Sequence, residues 1–381
     1  MFALADLAAS TPAMRATFDA PATIRALLRT ESALSAAGAA CGLLPPESAT
    51  AIQQSCESES PDPETLAADA QLAGTAIIPL VKWLRLAVGQ DHARHVHIGG
   101  TSQDIIDTGL ILQLRDGISL LDSDLAAMAN AAATLAARYA ETPMTGRTLL
   151  QSALPITFGL KAAYWLTAIN DSRTALTHAA AEALTLSCGG ATGTLDAIPT
   201  DKVEPFLTAF GAALSLAVPT LPWHTRRAPL LRLAAALTGA VGVAGKIGTD
   251  IALLAAPEIA EISEPAAPGR GGSSAMAHKR NPTLSIACKA AATRMTGFLA
   301  TLAAAQMPEH ERAAGAWQAE AAVWPAAMLC ASGALAAAAE LLSGLEIHEA
   351  AMEAHLLDNA PPGAASQLIA RALNAHKKGN S

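Results

Sequence analysis

The chain has 381 residues, 51% of them hydrophobic but only 3% aromatic, with a formal net charge of −8. That length holds a large core and two or three domains. The acidic balance, without a basic stripe, argues against a nucleic-acid partner.

Alanine carries much of the apolar count. It is the best helix former and fills strands poorly, so the composition predicts an all-α fold of closely packed helices. Basic residues cluster at Arg226-Arg227 and Lys279-Arg280, which suits a small anionic substrate. The N-terminal residues have no basic segment before an apolar run, so no signal peptide is expected. Cys41, Cys56, Cys188, Cys288 and Cys330 are odd in number and lack CxxC spacing. They read as reduced, mostly buried thiols of a cytoplasmic protein.

In chain order, helical spacing runs from residue 22 through Ile24, Leu27, Leu28 and Leu34 to a stop at Gly42. Ser58 to Pro63 is a polar loop, and one helix is expected from about Glu64 to Val88, broken by Pro79. Ser102 is expected as the N-cap, with Asp104 in the first turn, of a long helix reaching toward Tyr139. Thr142 to Ser152 reads as a loop and Pro155 as the opening of the next helix. Gly189 to Gly193 is a glycine-rich break, and 229–256 is helical in pattern. Glu264 to Gly272 is a flexible loop, and Asn281-Pro282 reads as N-cap and first residue of a further helix. Ala321 to Ala339 carries no charge. It is long enough to span a membrane, but its alanines, Pro325 and Gly333 favour the centre of a helical bundle. No strand is predicted. The expected divisions are an N-terminal helical domain over 1–101, a central bundle over 102–345, and a short C-terminal segment over 346–381.

Three loops between long helices carry groups suited to chemistry. The first, His97 to Asp104, places Thr101 and Ser102 at a helix start, where backbone N–H groups favour carboxylate oxygens. Plain capping explains the same residues. His92, His95 and His97 invite a metal reading, yet only Asp91 and Asp104 stand nearby to complete a ligand set, so no metal is expected. The second loop offers Arg147, Thr148 and Gln151. The third runs from Gly271 through Ser273, Ser274, Met276 and Lys279 to Asn281-Pro282. Its glycines permit close approach to a ligand, and its cations at a helix start can hold a carboxylate and stabilise added charge. An exposed linker before a capped helix remains the alternative.

The third loop resembles the GSSxMPxKxNP signature of the fumarase/aspartase superfamily, with Ala277 in place of the proline. The other two loops resemble that superfamily's further conserved regions, and the likeness covers about residues 20 to 355. It implies a long central helical bundle, a homotetramer, and active sites built from three subunits. Within the superfamily, Pro222 to Arg227 resembles the WHTQR element of the 3-carboxy-cis,cis-muconate cycloisomerases. Gly189 to Leu195 resembles their GGAxGTL, Glu309 to Trp317 their EHERAxGxW, and Pro79 to Lys82 part of their IPLVK. Fumarases and the succinyl-adduct lyases carry histidine where this chain has Leu149. Departures from the cycloisomerases are Arg226, Ser152 and Gln318, together with a short C-terminal region.

The resemblance implies cofactor-free lactonisation of a tricarboxylate, without membrane or nucleic acid as partner. It makes Ser273 and Lys279 the catalytic candidates. Thr101, Ser102, Arg147, Thr148, Gln151, His224, Arg227, Ser274, Met276 and Asn281 would bind substrate. A fumarate-releasing lyase of the same fold and a non-catalytic homologue are the alternatives. Leu149 argues against the former, and the joint retention of Ser273, Lys279 and Asn281 against the latter.

Overall fold

The computed structural model describes residues 4–276, 278–357 and 361–379. Short and medium helices come first: α1 (Leu4–Ala8), α2 (Pro12–Phe18), α3 (Ala20–Ala40), α4 (Pro46–Ser58), α5 (Pro63–Ala73), α6 (Ile77–Ala87) and α7 (Gln90–Ala93). Asp19 starts α3 by accepting the Ala22 N–H at 2.7 Å. Where one helix was expected over 64–88 there are two. Gly74, with φ 73°, ends α5 in the left-handed region. Pro79 does not break α6. It lies in the first turn, whose N–H groups have no helical acceptor anyway.

The long helices follow. α8 (Ser102–Arg138) leads into strands β1 (Pro143–Thr148) and β2 (Gln151–Thr157), then α9 (Phe158–Ala183). After α10 (Val203–Leu214) come α11 (Ala228–Leu254), strand β3 (Ile262–Ser263), α12 (Thr283–Ala304) and α13 (Ala316–Ser343). Strand β4 (Glu346–Ile347), α14 (Glu349–Ala354) and α15 (Ala365–Gly379) close the described chain. α8 packs on α9 and α13, α9 on α11, α11 on α12, and α12 on α13. The connections make them run up and down. With 37 residues, α8 spans about 55 Å at the helical rise per residue. The bundle therefore has two well-separated ends.

The uncharged stretch expected at a bundle centre lies in α13, where Cys330, Ala331, Ala334, Leu335 and Ala338 are buried. Their small side chains let the helix axes approach closely. Among the described residues α11 and α13 are the two helices long and apolar enough to cross a membrane, and about half of each apolar window is already buried within this chain. α10, also apolar, buries Phe206 and Phe210 against α3.

The expectation of no strand is corrected. β1 and β2 form an antiparallel hairpin in which Thr148 pairs with Gln151, leaving Leu149 and Leu150 as a two-residue turn. Both have positive φ, 51° and 65°, the conformation of a type I′ turn that asparagine and glycine usually fill. A lone hairpin is marginal in water. This one is anchored by buried Met144 and by the Thr145 hydroxyl, which donates to the His355 carbonyl at 2.5 Å. β3 and β4 form a second short antiparallel pair.

Candidate active site

One end of the bundle gathers the start of α8, the glycine-rich loop after α9, the segment before α11 and the start of α13. Thr101, not Ser102, is the N-cap of α8, and Ser102 is the first helical residue. The Thr101 N–H donates to Asp104 at 3.1 Å. Asp104 also accepts the N–H groups of Gly189 (2.9 Å) and Gly190 (3.0 Å) and the Nε2 of His224 (2.6 Å). This carboxylate thus ties the helix start to the glycine-rich loop.

One turn further along α8, Asp107 takes both terminal nitrogens of Arg227 and the indole N–H of Trp317. Arg227 also donates from Nε and Nη2 to Glu320, at 3.1 and 2.5 Å, and lies over the Trp223 ring. All three ionic side chains are buried. Burial alone would lower the Arg227 pKa, but the two carboxylates outweigh it and raise it. Burial also raises the Glu320 carboxyl above its ordinary range, against the pull of Arg227. Arg227, expected to bind a substrate carboxylate, here has its charge set between two carboxylates of the chain.

Arg312 was not among the expected site residues. It donates to the Thr101 hydroxyl at 2.9 Å and to the carbonyls of Gly190 and Ala191 at 3.2 and 2.9 Å. These acceptors are neutral, and Arg312 has no carboxylate partner among the described residues. It therefore offers an uncompensated positive charge beside the first loop. The three histidines considered for a metal have other partners. His92 meets Ser48, His97 meets buried Glu31 at 2.6 Å, and His95 meets Arg94. Among the described residues no group of three potential ligands could hold a metal ion.

The other end carries the second and third loops. Arg147, on β1, forms a two-pronged pair with the fully buried Glu261, at 2.6 and 3.0 Å, and His355 shares that carboxylate. Arg147, also expected to bind a substrate carboxylate, is likewise paired within the chain. Thr148 and Gln151 lie exposed where the hairpin turns, beside Leu149 at 96% exposure. Lys161, nearby on α9, has its pKa lowered by burial.

The third loop is pinched at its base. Asn281 donates its backbone N–H (2.8 Å) and its side-chain amide (3.2 Å) to the Gly271 carbonyl. Gly271 has φ 68°, and a Cβ there would stand 2.5 Å from the Asn281 carbonyl oxygen, so glycine is required. Above the pinch the Ser273 hydroxyl accepts the N–H groups of Met276 and Ala275. Ser274, Met276 and Lys279 are exposed, and Lys279 makes no ion pair with a described residue. Ala277, the departure from the signature, lies outside the described residues. Asn281-Pro282 is not the cap expected of α12. The Glu264 carboxylate caps it instead, accepting the N–H groups of Leu284 and Ser285 at 3.1 and 2.7 Å.

The expected site residues thus fall into two groups at opposite ends of the bundle. Thr101, Ser102, His224 and Arg227 stand at one. Arg147, Thr148, Gln151, Ser273, Ser274, Met276, Lys279 and Asn281 stand at the other. Burial pushes the Cys288 thiol up to about 12 and also raises Cys188, which lies near Asp104.

A family model described as "Lyase" matches residues 7–297. A 3-carboxy-cis,cis-muconate cycloisomerase of Pseudomonas putida is 42% identical over 91% of this chain and 83% of its own length. A nitrosuccinate lyase of Streptomyces davaonensis is 38% identical over 93% of this chain and 76% of its own. Among solved structures, the 3-carboxy-cis,cis-muconate lactonizing enzyme from Pseudomonas putida superposes with a TM-score of 0.93. That alignment has 34% identity and covers 99% of this chain and 100% of that one.

Proposed function

This chain belongs to the lyase family of the fumarase/aspartase superfamily, and we propose that it lactonises 3-carboxy-cis,cis-muconate to 4-carboxymuconolactone. The observation that carries this reading is the 42% identity to the Pseudomonas putida cycloisomerase over 91% of the chain. Leu149 supports it too, since the fumarate-releasing branches keep histidine there.

In this reaction a carboxylate oxygen of the substrate adds to a conjugated alkene of the same molecule. Charge moves onto a second carboxylate as an enediolate, and the α-carbon takes a proton. The nucleophile is already in the substrate, so the barrier is largely electrostatic and no cofactor is called for. Lys279 would neutralise the enediolate. Arg312 would take a second carboxylate beside Thr101 and Ser102, and His224 would face the substrate. Thr148, Gln151, Ser274, Met276 and Asn281 would shape the cavity, and Ser273 would bear on the reacting carbon. Arg227 and Arg147 act one step back, as charged ties that hold the two loop ends in place.

The reading requires assembly. Residues about 55 Å apart along α8 cannot meet on one small substrate within one chain. A homotetramer whose sites draw on several subunits brings opposite ends together. Its support is the uncovered surface of α12, which buries only Ser285, Cys288, Ala291, Met295 and Leu302 although Lys289 and Arg294 are its only charges. The division at residues 101 and 345 belongs to this reading, with the central bundle as the assembly core. A catabolic enzyme of this kind would act in the cytoplasm.

A second reading is favoured by the 38% identity to a nitrosuccinate lyase: elimination of a group from a succinate skeleton. One experiment separates the two. Purified protein is given 3-carboxy-cis,cis-muconate in one cuvette and adenylosuccinate, argininosuccinate or nitrosuccinate in others. Loss of the diene absorbance is expected, without release of fumarate.

A further inference from the structure

His224 is held from several sides. Its Nε2 meets Asp104 at 2.6 Å, and its carbonyl accepts the side-chain amide of Gln103 at 3.0 Å. Its Cε1 lies against Gly189, where a Cβ would stand 2.9 Å away. Asp104 already accepts three backbone N–H groups, from Thr101, Gly189 and Gly190. A carboxylate so surrounded by donors is an acceptor toward the ring as well, which puts the shared hydrogen on Nε2. Nδ1 makes no hydrogen bond with a described residue, and it is not among the sealed polar atoms that lack a partner. The ring is thus fixed at one nitrogen and open at the other.

The lactonisation needs a proton at the α-carbon. Leu149 and Ser152 supply none, and the Ser273 hydroxyl is too weak an acid at neutral pH to be its source. Imidazole is the side chain that exchanges protons most readily in that range. Resting on the cycloisomerase reading, we propose that His224 is the proton donor and Asp104 its positioning residue. The substrate carboxylate oxygen forms its bond to the alkene carbon, and the π pair moves out as the enediolate. The Nδ1–H bond then breaks as the C–H bond forms at the α-carbon. The N–H pair stays on Nδ1, and solvent returns the proton after the lactone leaves. Asp104 is the charged group that meets the ring; the same end of the bundle holds Arg227 between Asp107 and Glu320, Arg312 on the Thr101 hydroxyl, and the Cys188 thiol near Asp104.

The test measures kcat against pH on 3-carboxy-cis,cis-muconate for the full-length wild type, His224→Gln, Asp104→Asn and Ser273→Ala. Wild-type kcat is expected to fall as pH rises through the imidazole titration, because the acid form is the donor. His224→Gln is expected to lose on the order of a hundredfold in kcat, with KM little changed and that fall absent. Asp104→Asn should lower kcat with KM little changed, since the ring loses the anchor that aims Nδ1; a purely structural role would instead lower the unfolding midpoint and leave kcat of the folded enzyme intact. Ser273→Ala should keep the wild-type profile at reduced kcat. An active wild type whose His224→Gln variant keeps its kcat and profile overturns this proposal alone, whereas a wild type inactive on the substrate overturns the cycloisomerase reading. Neutron diffraction of wild-type crystals needs no variant to fold. A deuteron on Nε2, directed at Asp104, is expected; a deuteron on Nδ1 alone overturns the proposal.

Discussion

Asp107 receives both terminal nitrogens of Arg227, at 2.7 and 3.1 Å, in a setting where each side chain is 1% exposed. With Glu320 on the other side of the guanidinium, this cation joins α8, α11 and α13. Removing it leaves two carboxylates buried without compensation. Arg227→Met is therefore expected to cost about 3–5 kcal/mol of stability, read from urea unfolding at fixed protein concentration. Arg227→Lys should rescue little, because a single ammonium cannot serve two carboxylates in this planar arrangement. A wild-type unfolding midpoint for Arg227→Met would contradict this account.

The His97–Glu31 pair sets a pH dependence. Burial alone would lower the His97 pKa, but the hydrogen bond and charge of Glu31 outweigh it, and the net shift is upward from 6.5. The stabilisation is then fully present below about 6.5 and is lost as pH rises through the higher folded value. Melting temperatures between pH 6 and 9 should fall in the wild type, and the fall should be shallower in Glu31→Gln. Equal slopes would show that the pair contributes nothing to the pH profile.

Most of the long helices were legible in the sequence. The alanine-rich apolar spacing of α8 and α11 has few competing signals, and Gly42 stops α3 where a glycine should. The hairpin was not legible. Its strands are short and carry Pro143 and Pro155, and its turn is Leu149-Leu150, which gives no asparagine or glycine signal. The tertiary anchors Glu261 and His355, more than a hundred residues away, hold it instead. The motifs located the candidate loops, but motif positions do not reveal which cations are already paired. Arg227 and Arg147 look like Lys279 in sequence, yet of the three it is Lys279 that has no carboxylate partner among the described residues. One signal was available: Asp104 and Asp107 fall on the apolar face of α8 with Ile111, and a buried acid there calls for a buried cation.

Lys279 and Ser273 should differ in weight. In the proposed reaction the ammonium would act on both the bound carboxylate and the enediolate, whereas water could partly replace the hydroxyl. Lys279→Ala is expected to lose on the order of 3 kcal/mol of transition-state stabilisation, about a hundredfold in rate. Ser273→Ala should lose less. Steady-state kinetics on 3-carboxy-cis,cis-muconate ranks the two, and the reverse order would remove Lys279 from its assigned role.

The most direct measurement concerns the central claim, that this chain lactonises 3-carboxy-cis,cis-muconate in sites assembled from opposite ends of different subunits. Arg312→Ala damages one end and Lys279→Ala the other. Each variant is purified alone and also co-expressed with the other, and loss of the diene absorbance is followed. Light scattering should give about four times the 38.7 kDa chain mass for every sample. The account predicts a lactonising wild type, two feeble single variants, and a co-expressed mixture that regains a clear fraction of wild-type turnover because some sites draw both intact ends from different chains. A mixture no more active than its components, or a wild type that leaves the diene unchanged, would contradict it.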